Sequence, residues 1–404
     1  MLRKLLMGAM ALVYIYTLSF DIYLNDYFRL PSVILGMLLA LLFAGQRIKT
    51  NGFLLPLGLL ILANFFYYAM GQDQVKPVVV NVSIFLACAG YFEYFVGSSL
   101  SRLKYSVVIF FSCLSLSVLI MAADHLDPLA MLAVRGVLMG GEVTQSPSGI
   151  SIAIFTFGYQ LCAFSGLLFC YALFSRKHAG LVLVALLISL LAIFYGMQRS
   201  ALIVFGISAV LSIIALYKAN LLKVLLPLSF AVGLTFYLLS AVNSTDQANI
   251  LNKAEINAQS GEDRGDLMGE NFKIYTDYPF GLLFYLKTWP EVSRNNPAFQ
   301  GGLTSHNAYF MFITYLGPFI GLILLGAIYY RIFLVVRRTL QALDDSRYAL
   351  LGSLCFAFLA ISLNSIFHNA WLINANGPTV FLFFCILQLD RINSLPLVVK
   401  HSTL

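Results

Sequence analysis

The sequence predicts an all-α, polytopic integral membrane protein, and three observations carry that prediction. Of 404 residues, 60% are hydrophobic and only 11% are charged, with a mean hydropathy of +0.85, so most of the chain's surface must avoid water. The apolar residues fall into runs near the length of about 20 residues that carries a helix across a hydrocarbon core roughly 30 Å thick. The polar breaks between the runs divide by charge, the basic residues gathering in alternate breaks. Such a chain has no room for a large soluble catalytic domain.

In chain order the runs cover 5–20, 30–45, 52–70, 77–97, 105–123, 149–174, 180–197, 200–217, 224–242, 307–330, 348–366 and 377–390. That makes about 12 transmembrane helices in a single membrane domain, 1–404. The first run follows Arg3 and Lys4 but has no small-residue cleavage site, so it reads as a retained span rather than a signal peptide. With the amino terminus placed inside, the inner breaks hold sixteen of the 25 Lys and Arg residues, among them Arg47, Arg102, Arg176, Arg338 and Arg391. Of the acidic residues, only Asp344, Asp345 and Asp390 share those breaks, while Glu93 sits within a span near the inner face. Basic excess marks the cytoplasmic side, so both termini are expected there. The net charge of +7 thus has its home in loops, and no Lys/Arg cluster or basic-aromatic stripe marks a nucleic-acid partner. The six cysteines all lie in apolar runs without metal-ligand spacing, which indicates neither a disulfide framework nor a zinc site.

Two outer segments interrupt the pattern. Residues 124–148 have an apolar middle, Pro128 to Met139, expected to lie along the membrane surface as an amphipathic piece. Residues 243–306 form the longest polar stretch, read as one long periplasmic loop. No internal repeat is visible, which weighs against transporters built from repeated bundles.

On an outer side of net negative charge, arginines at the ends of apolar runs stand out. Arg199 lies in Gln198-Arg199-Ser200-Ala201, a turn short enough to hold the guanidinium at or just under the interface. It is either a snorkelling anchor among headgroups or a phosphate ligand, its planar fork matched to phosphate oxygens. Arg264 lies among acidic neighbours, Glu262, Asp263 and Asp266, where a solvated salt-bridge cluster is the plain alternative and a divalent cation a second one. Arg135 is a third, weaker candidate. His306, in Ser305-His306-Asn307-Ala308-Tyr309, stands where the loop meets the next run. Its imidazole suits general-base work, and the same stretch also serves to cap a helix through Ser305 or Asn307. His368 reads as an interfacial residue beside Trp371.

Taken in order, these pieces resemble the signature of the bacterial O-antigen ligase-like family, which includes O-antigen ligases and O-antigen and exopolysaccharide polymerases. The pieces are Gln198-Arg199-Ser200-Ala201 between two spans; Arg264 followed by Tyr275, Pro279 and Gly281; and Ser305-His306-Asn307-Ala308-Tyr309 with Gly317 and Gly321 beyond. The likeness covers roughly residues 180–330 by motif. Two positions depart from it: Leu283 stands where a second glycine is frequent, and Tyr315 where the post-histidine span often has a glutamate. The resemblance implies an inverting, metal-independent glycosyltransferase of the inner membrane without a cofactor. Its donor would be an undecaprenyl-diphosphate-linked glycan, its acceptor a lipid-linked glycan or lipid A-core. Arg199 and Arg264 would hold the diphosphate, with Arg135 a possible secondary ligand, and His306 would take the acceptor proton beside Asn307. No P-loop or dinucleotide fingerprint is present, in keeping with a donor that carries its own leaving group. The alternative of a different class is a transporter or flippase for lipid-linked glycans, which calls for ionisable residues near the midplane of several spans.

Overall fold

The structure is a computed structural model that describes residues 1–23, 32–48, 52–72, 74–176, 178–242, 248–253, 255, 264–302 and 304–395; the side chains of residues 219, 264 and 300–302 lie outside the description. Among the described residues the regular structure is helical throughout, with no strand. The helices are α1 (Leu2–Ser19), α2 (Ser32–Leu42), α3 (Leu54–Asn64), α4 (Val75–Gly90), α5 (Leu100–Asp124), α6 (Pro128–Met139), α7 (Ile154–Phe174), α8 (Ala179–Tyr195), α9 (Arg199–Tyr217), α10 (Leu221–Val242), α11 (Arg264–Asp277), α12 (Trp289–Ser293), α13 (Ala308–Gln341), α14 (Ala349–Asn364) and α15 (Gly377–Asn393). Helices α3 and α4 each run on into a π-helical turn, Phe65–Met70 and Tyr91–Val96.

Eight of the described helices are long and apolar enough to cross a membrane: α1, α4 with its π-turn, α5, α7, α9, α10, α13, and α14 with the 3-10 turn before it. The runs expected at 30–45, 52–70 and 180–197 form shorter helices, Ser32–Leu42, Leu54–Met70 and Ala179–Tyr195. The expected surface piece is α6, started by Asp127, whose Oδ1 accepts from Ala130 N at 3.0 Å, and stopped at the left-handed Gly140. Leu129, Leu132 and Val137 on α6 are exposed. The stretch 243–306, expected as a loop, contains α11, α12 and the 3-10 turn Pro297–Gly302.

Contacts sort the helix ends into two groups. At one end Arg391 pairs with Glu93, Arg338 with Asp390 at 2.8 Å and Arg176 with Asp344 at 2.7 Å. At the other, Asp21 Oδ1 accepts from Gly377 N at 2.6 Å, and His125 Nε2 lies 2.9 Å from Tyr195 O. The first end carries the basic breaks anticipated from sequence. Between the ends, α7, α14 and α15 form the interior; Gly166 lets α7 approach α14 so closely that a Cβ there would stand 3.0 Å from Ala357 Cα. Small residues at such crossings are how helices pack when lipid removes the hydrophobic drive between them. At the periphery α10 buries none of its residues and exposes Leu222, Leu226, Phe230 and Leu238. All six cysteines are buried free thiols.

Glu93 and Arg391 are both buried, and the guanidinium also takes Gln388 Oε1 at 3.0 Å and faces the Phe53 ring at 5.1 Å. Breaking such a pair strands a buried charge at a cost of about 3–5 kcal/mol, whereas replacing both partners by apolar residues is often neutral. Glu93→Leu therefore lowers thermal stability in detergent by that order, and the double variant Glu93→Leu/Arg391→Met recovers most of it.

Candidate functional site

Helix α9 starts at Arg199 because the chain is broken just before it: Met197 is left-handed (φ 55°) and Gln198 is non-helical. Gln198 is buried and donates to Ile154 O at 2.7 Å, and Ser200 is buried with its Oγ 3.1 Å from His368 Nε2. Between these two inward-facing neighbours, the Arg199 side chain is exposed. It stands on the first turn of a helix, where unsatisfied N–H groups already favour an anion.

His368 is thus a buried bridge rather than the interfacial residue its neighbour Trp371 led us to expect; it is 5% exposed and Trp371 1%. Its carbonyl accepts from Ala308 N at 3.0 Å, as does that of Ser365. Ala308 opens α13, and the residues before it are the predicted His306 and Asn307. Asn307 is the cap of that helix, its Oδ1 accepting from Phe310 N at 3.0 Å. His306 is held left-handed (φ 51°) and is partly buried; a non-glycine residue there costs of order 1–3 kcal/mol and requires that its surroundings fix it.

The third piece reaches the same place through α11. Asn271, fully buried, donates to Ser305 Oγ at 3.0 Å and to Met311 Sδ at 3.3 Å, while its Oδ1 accepts from Thr314 Oγ1 at 3.1 Å. One amide therefore fastens α11 to both the residue before His306 and the first turns of α13. Arg264 opens α11, about 10 Å of helix from Asn271 at 1.5 Å per residue; its side chain lies outside the described residues, as does Asp263. Next to Asn271, Glu270 is engaged by Lys273 and by Asn296 Nδ2 at 3.0 Å, and these bonds hold its carboxyl below the usual range.

The glycines of the two later motifs meet each other. Helix α13 kinks at Gly317 and Pro318; proline lacks the N–H that would close on Thr314, so carbonyls on the preceding turn need other donors. Leu282 N supplies Thr314 O at 3.0 Å and Leu283 N supplies Tyr315 O at 2.9 Å. The approach requires glycine on both sides: both are left-handed, a Cβ on Gly281 would stand 2.1 Å from Gly317 N, and one on Gly317 would stand 1.9 Å from Phe280 O.

Arg135 is placed apart from these three pieces. Its guanidinium is wholly buried, 3.3 Å from Asp124 Oδ1, and Nη1 donates to Ser148 Oγ at 2.5 Å and Gln145 O at 2.9 Å. It holds the segment 140–153 to the end of α5, and a fully enclosed guanidinium does not present itself to a substrate.

Beside the loop that carries His306 lies a cavity of about 260 Å³. It is lined by Tyr67, Tyr68, Gln72, Trp289, Tyr315 and Asn374, with Thr304 and Met311 joining it to the His306 segment and Asn369 to His368. None of these residues was marked by sequence reasoning as part of a site, although Tyr315 was noted as a departure. The aromatic run Phe65-Phe66-Tyr67-Tyr68 and Trp289, one of only two tryptophans in the sequence, are the signals that could have flagged them. The chain matches no protein-family model, and no curated protein matches it.

Proposed function

We propose that the chain is a twelve-span glycosyltransferase of the bacterial inner membrane, with both termini cytoplasmic, that transfers a glycan from a polyprenyl-diphosphate carrier to a sugar hydroxyl at the periplasmic face. The observation that carries this reading is the convergence just described. Ser200 on His368, His368 on Ala308, and Asn271 on Ser305 bring the arginine turn, the Arg264 helix and the histidine loop together at one end of the bundle. Eight described helices long and apolar enough to cross, with α2, α3, α8 and α15 as four shorter ones, support the twelve-span reading, and the end opposite the basic breaks is then periplasmic.

In this reading Arg199 and Arg264 bind the diphosphate and stabilise the charge that develops on it as it leaves. The acceptor hydroxyl attacks the anomeric carbon from the far side. A new C–O bond forms as the bond to the carrier breaks, the electron pair departs on the diphosphate oxygen, and the hydroxyl proton passes to the His306 imidazole. The anomeric configuration inverts. The acceptor is a lipid-linked glycan or lipid A-core. With two guanidinium groups on the diphosphate no metal is required, so transfer persists in excess chelator; complete loss restored by one divalent ion would shift the role to Asp263 and Asp266.

Reconstitution with a defined lipid-diphosphate oligosaccharide tests the reading, with carrier release and glycan product both measured. Arg199→Lys keeps the charge but loses the bidentate fork, and is expected to lower kcat/KM for the donor by about tenfold or more. Wild-type turnover in that variant would return Arg199 to a headgroup anchor. The alternative, a transporter or flippase, is disfavoured because the buried charged pairs Glu93–Arg391 and Asp124–Arg135 lie at helix ends rather than at midplane.

A further inference from the structure

The cavity beside the histidine loop has a chemistry of its own. No Lys, Arg, Asp, Glu or His lines it among the described residues. Its walls are aromatic: Tyr67 meets Tyr315 with ring centroids 4.9 Å apart, and Trp289 lies 6.2 Å from Tyr315. Beside the tyrosine hydroxyls, its described polar groups are neutral: the amides of Gln72, Gln74, Asn369 and Asn374 and the hydroxyl of Thr304. Among the described residues the Thr304 hydroxyl is one of several buried side-chain polar atoms with no hydrogen-bond partner, and it is the one that lines this cavity.

The amide wall is built, not incidental. The 3-10 turn Leu372–Asn374 is held by Asn64 Nδ2 on Ile373 O at 2.7 Å, Asn81 Nδ2 bonds Asn64 Oδ1 at 3.0 Å, and Asn374 Nδ2 donates to the Tyr68 hydroxyl. Three buried or half-buried amides thus fix one turn against the end of α3 and the second turn of α4. A flat apolar face opposite neutral amides and a hydroxyl matches a sugar ring, whose C–H faces stack on aromatics while its hydroxyls exchange hydrogen bonds. Among the described lining residues, none would pair the charge of an entering carboxylate or phosphate.

We propose that this cavity is the acceptor subsite and holds an uncharged sugar ring, with the reacting hydroxyl turned toward His306 across Thr304. The assignment rests on the glycosyl-transfer reading for the word acceptor, and on the cavity alone for the sugar. Tyr315 then acquires a function: it walls a site with no charged side chain among the described residues.

The chain has two tryptophans, and Trp371 lines no part of the cavity, so emission of the full-length Trp371→Phe variant in nanodiscs reports on Trp289; wild-type emission, with Trp371 as a constant background, serves if that variant fails to fold. Titration uses neutral trisaccharides built from glucose, galactose, mannose or N-acetylglucosamine, with trigalacturonate as the acidic counterpart. At least one neutral member is expected to change emission saturably and to bind tenfold or more tightly than trigalacturonate, and Gln72→Ala and Asn369→Ala to weaken it about tenfold. No saturable change, or equal binding of the acidic sugar, overturns the subsite. In the reconstituted reaction the same two variants raise the acceptor KM about tenfold without moving the donor KM. Sugar binding without any transfer would sink the glycosyltransferase reading and leave the sugar site; transfer with an unmoved acceptor KM would sink the subsite alone.

Discussion

His306→Asn is expected to abolish most of the proposed sugar transfer in reconstituted membranes, lowering kcat by about 10²–10⁴-fold, the range that a positioned general base contributes. Asparagine is the informative replacement. His306 sits left-handed at φ 51°, a conformation that asparagine accepts more readily than alanine, so the loop and the Asn307 cap behind it are preserved while the proton acceptor is lost. Carrier binding, measured as protection of the chain by the lipid-diphosphate donor, is expected to stay near wild type if, as proposed, the untouched arginines hold the diphosphate. A variant with normal transfer would reduce His306 to a residue of the helix cap.

The second large effect is structural. Gly317→Ala and Gly281→Ala each lose about 3 kcal/mol or more of stability, read as a fall in thermal unfolding temperature in detergent. Two costs combine: an L-residue at positive φ costs roughly 1–2 kcal/mol, and the added methyl overlaps backbone atoms at 1.9 Å and 2.1 Å that cannot rotate away, adding about 1–3 kcal/mol of overpacking strain. The control lies on the same helix. A Cβ at Gly326 meets nothing within 4 Å, so Gly326→Ala is neutral or slightly stabilising. Equal effects at Gly317 and Gly326 would mean that the kink of α13 does not depend on this contact. Because Leu282 and Leu283 feed the carbonyls of the turn that also carries Tyr315, the two damaging variants should distort the cavity as well.

Much of this architecture was legible before any coordinates. Apolar runs located the helices because lipid leaves the backbone no partner but itself, and the basic breaks gathered at one end, as Arg338, Arg176 and Arg391 illustrate. Run length was less informative. Residues 30–45 look like a span, yet the described helix there is Ser32–Leu42, since apolar composition does not state where helix ends and extended chain begins. The candidate site was legible only as separate residues. Arg199 and His306 could be marked because charge and imidazole are rare in such a chain. His368 was misjudged, since nothing local reveals that Ser200, 168 residues away, reaches its ring. Arg135 resembled Arg199 in sequence but is enclosed by Asp124 and Ser148, a difference that exists only once α6 folds back. Tyr67 and Gln72, Trp289, and Asn374 come from three segments with no shared period, so only the packed chain could unite them.

The central claim is that Arg199, Arg264 and His306 act on one substrate at one end of the bundle. Its most direct test is the purified Arg199→Ala/Arg264→Ala/His306→Ala variant, matched to wild type in thermal unfolding, in proteoliposomes supplied with a defined lipid-diphosphate oligosaccharide and an acceptor. The account predicts neither released carrier diphosphate nor glycan product from that variant, with both formed by wild type; coupling of sugar at the wild-type rate after all three replacements would contradict it.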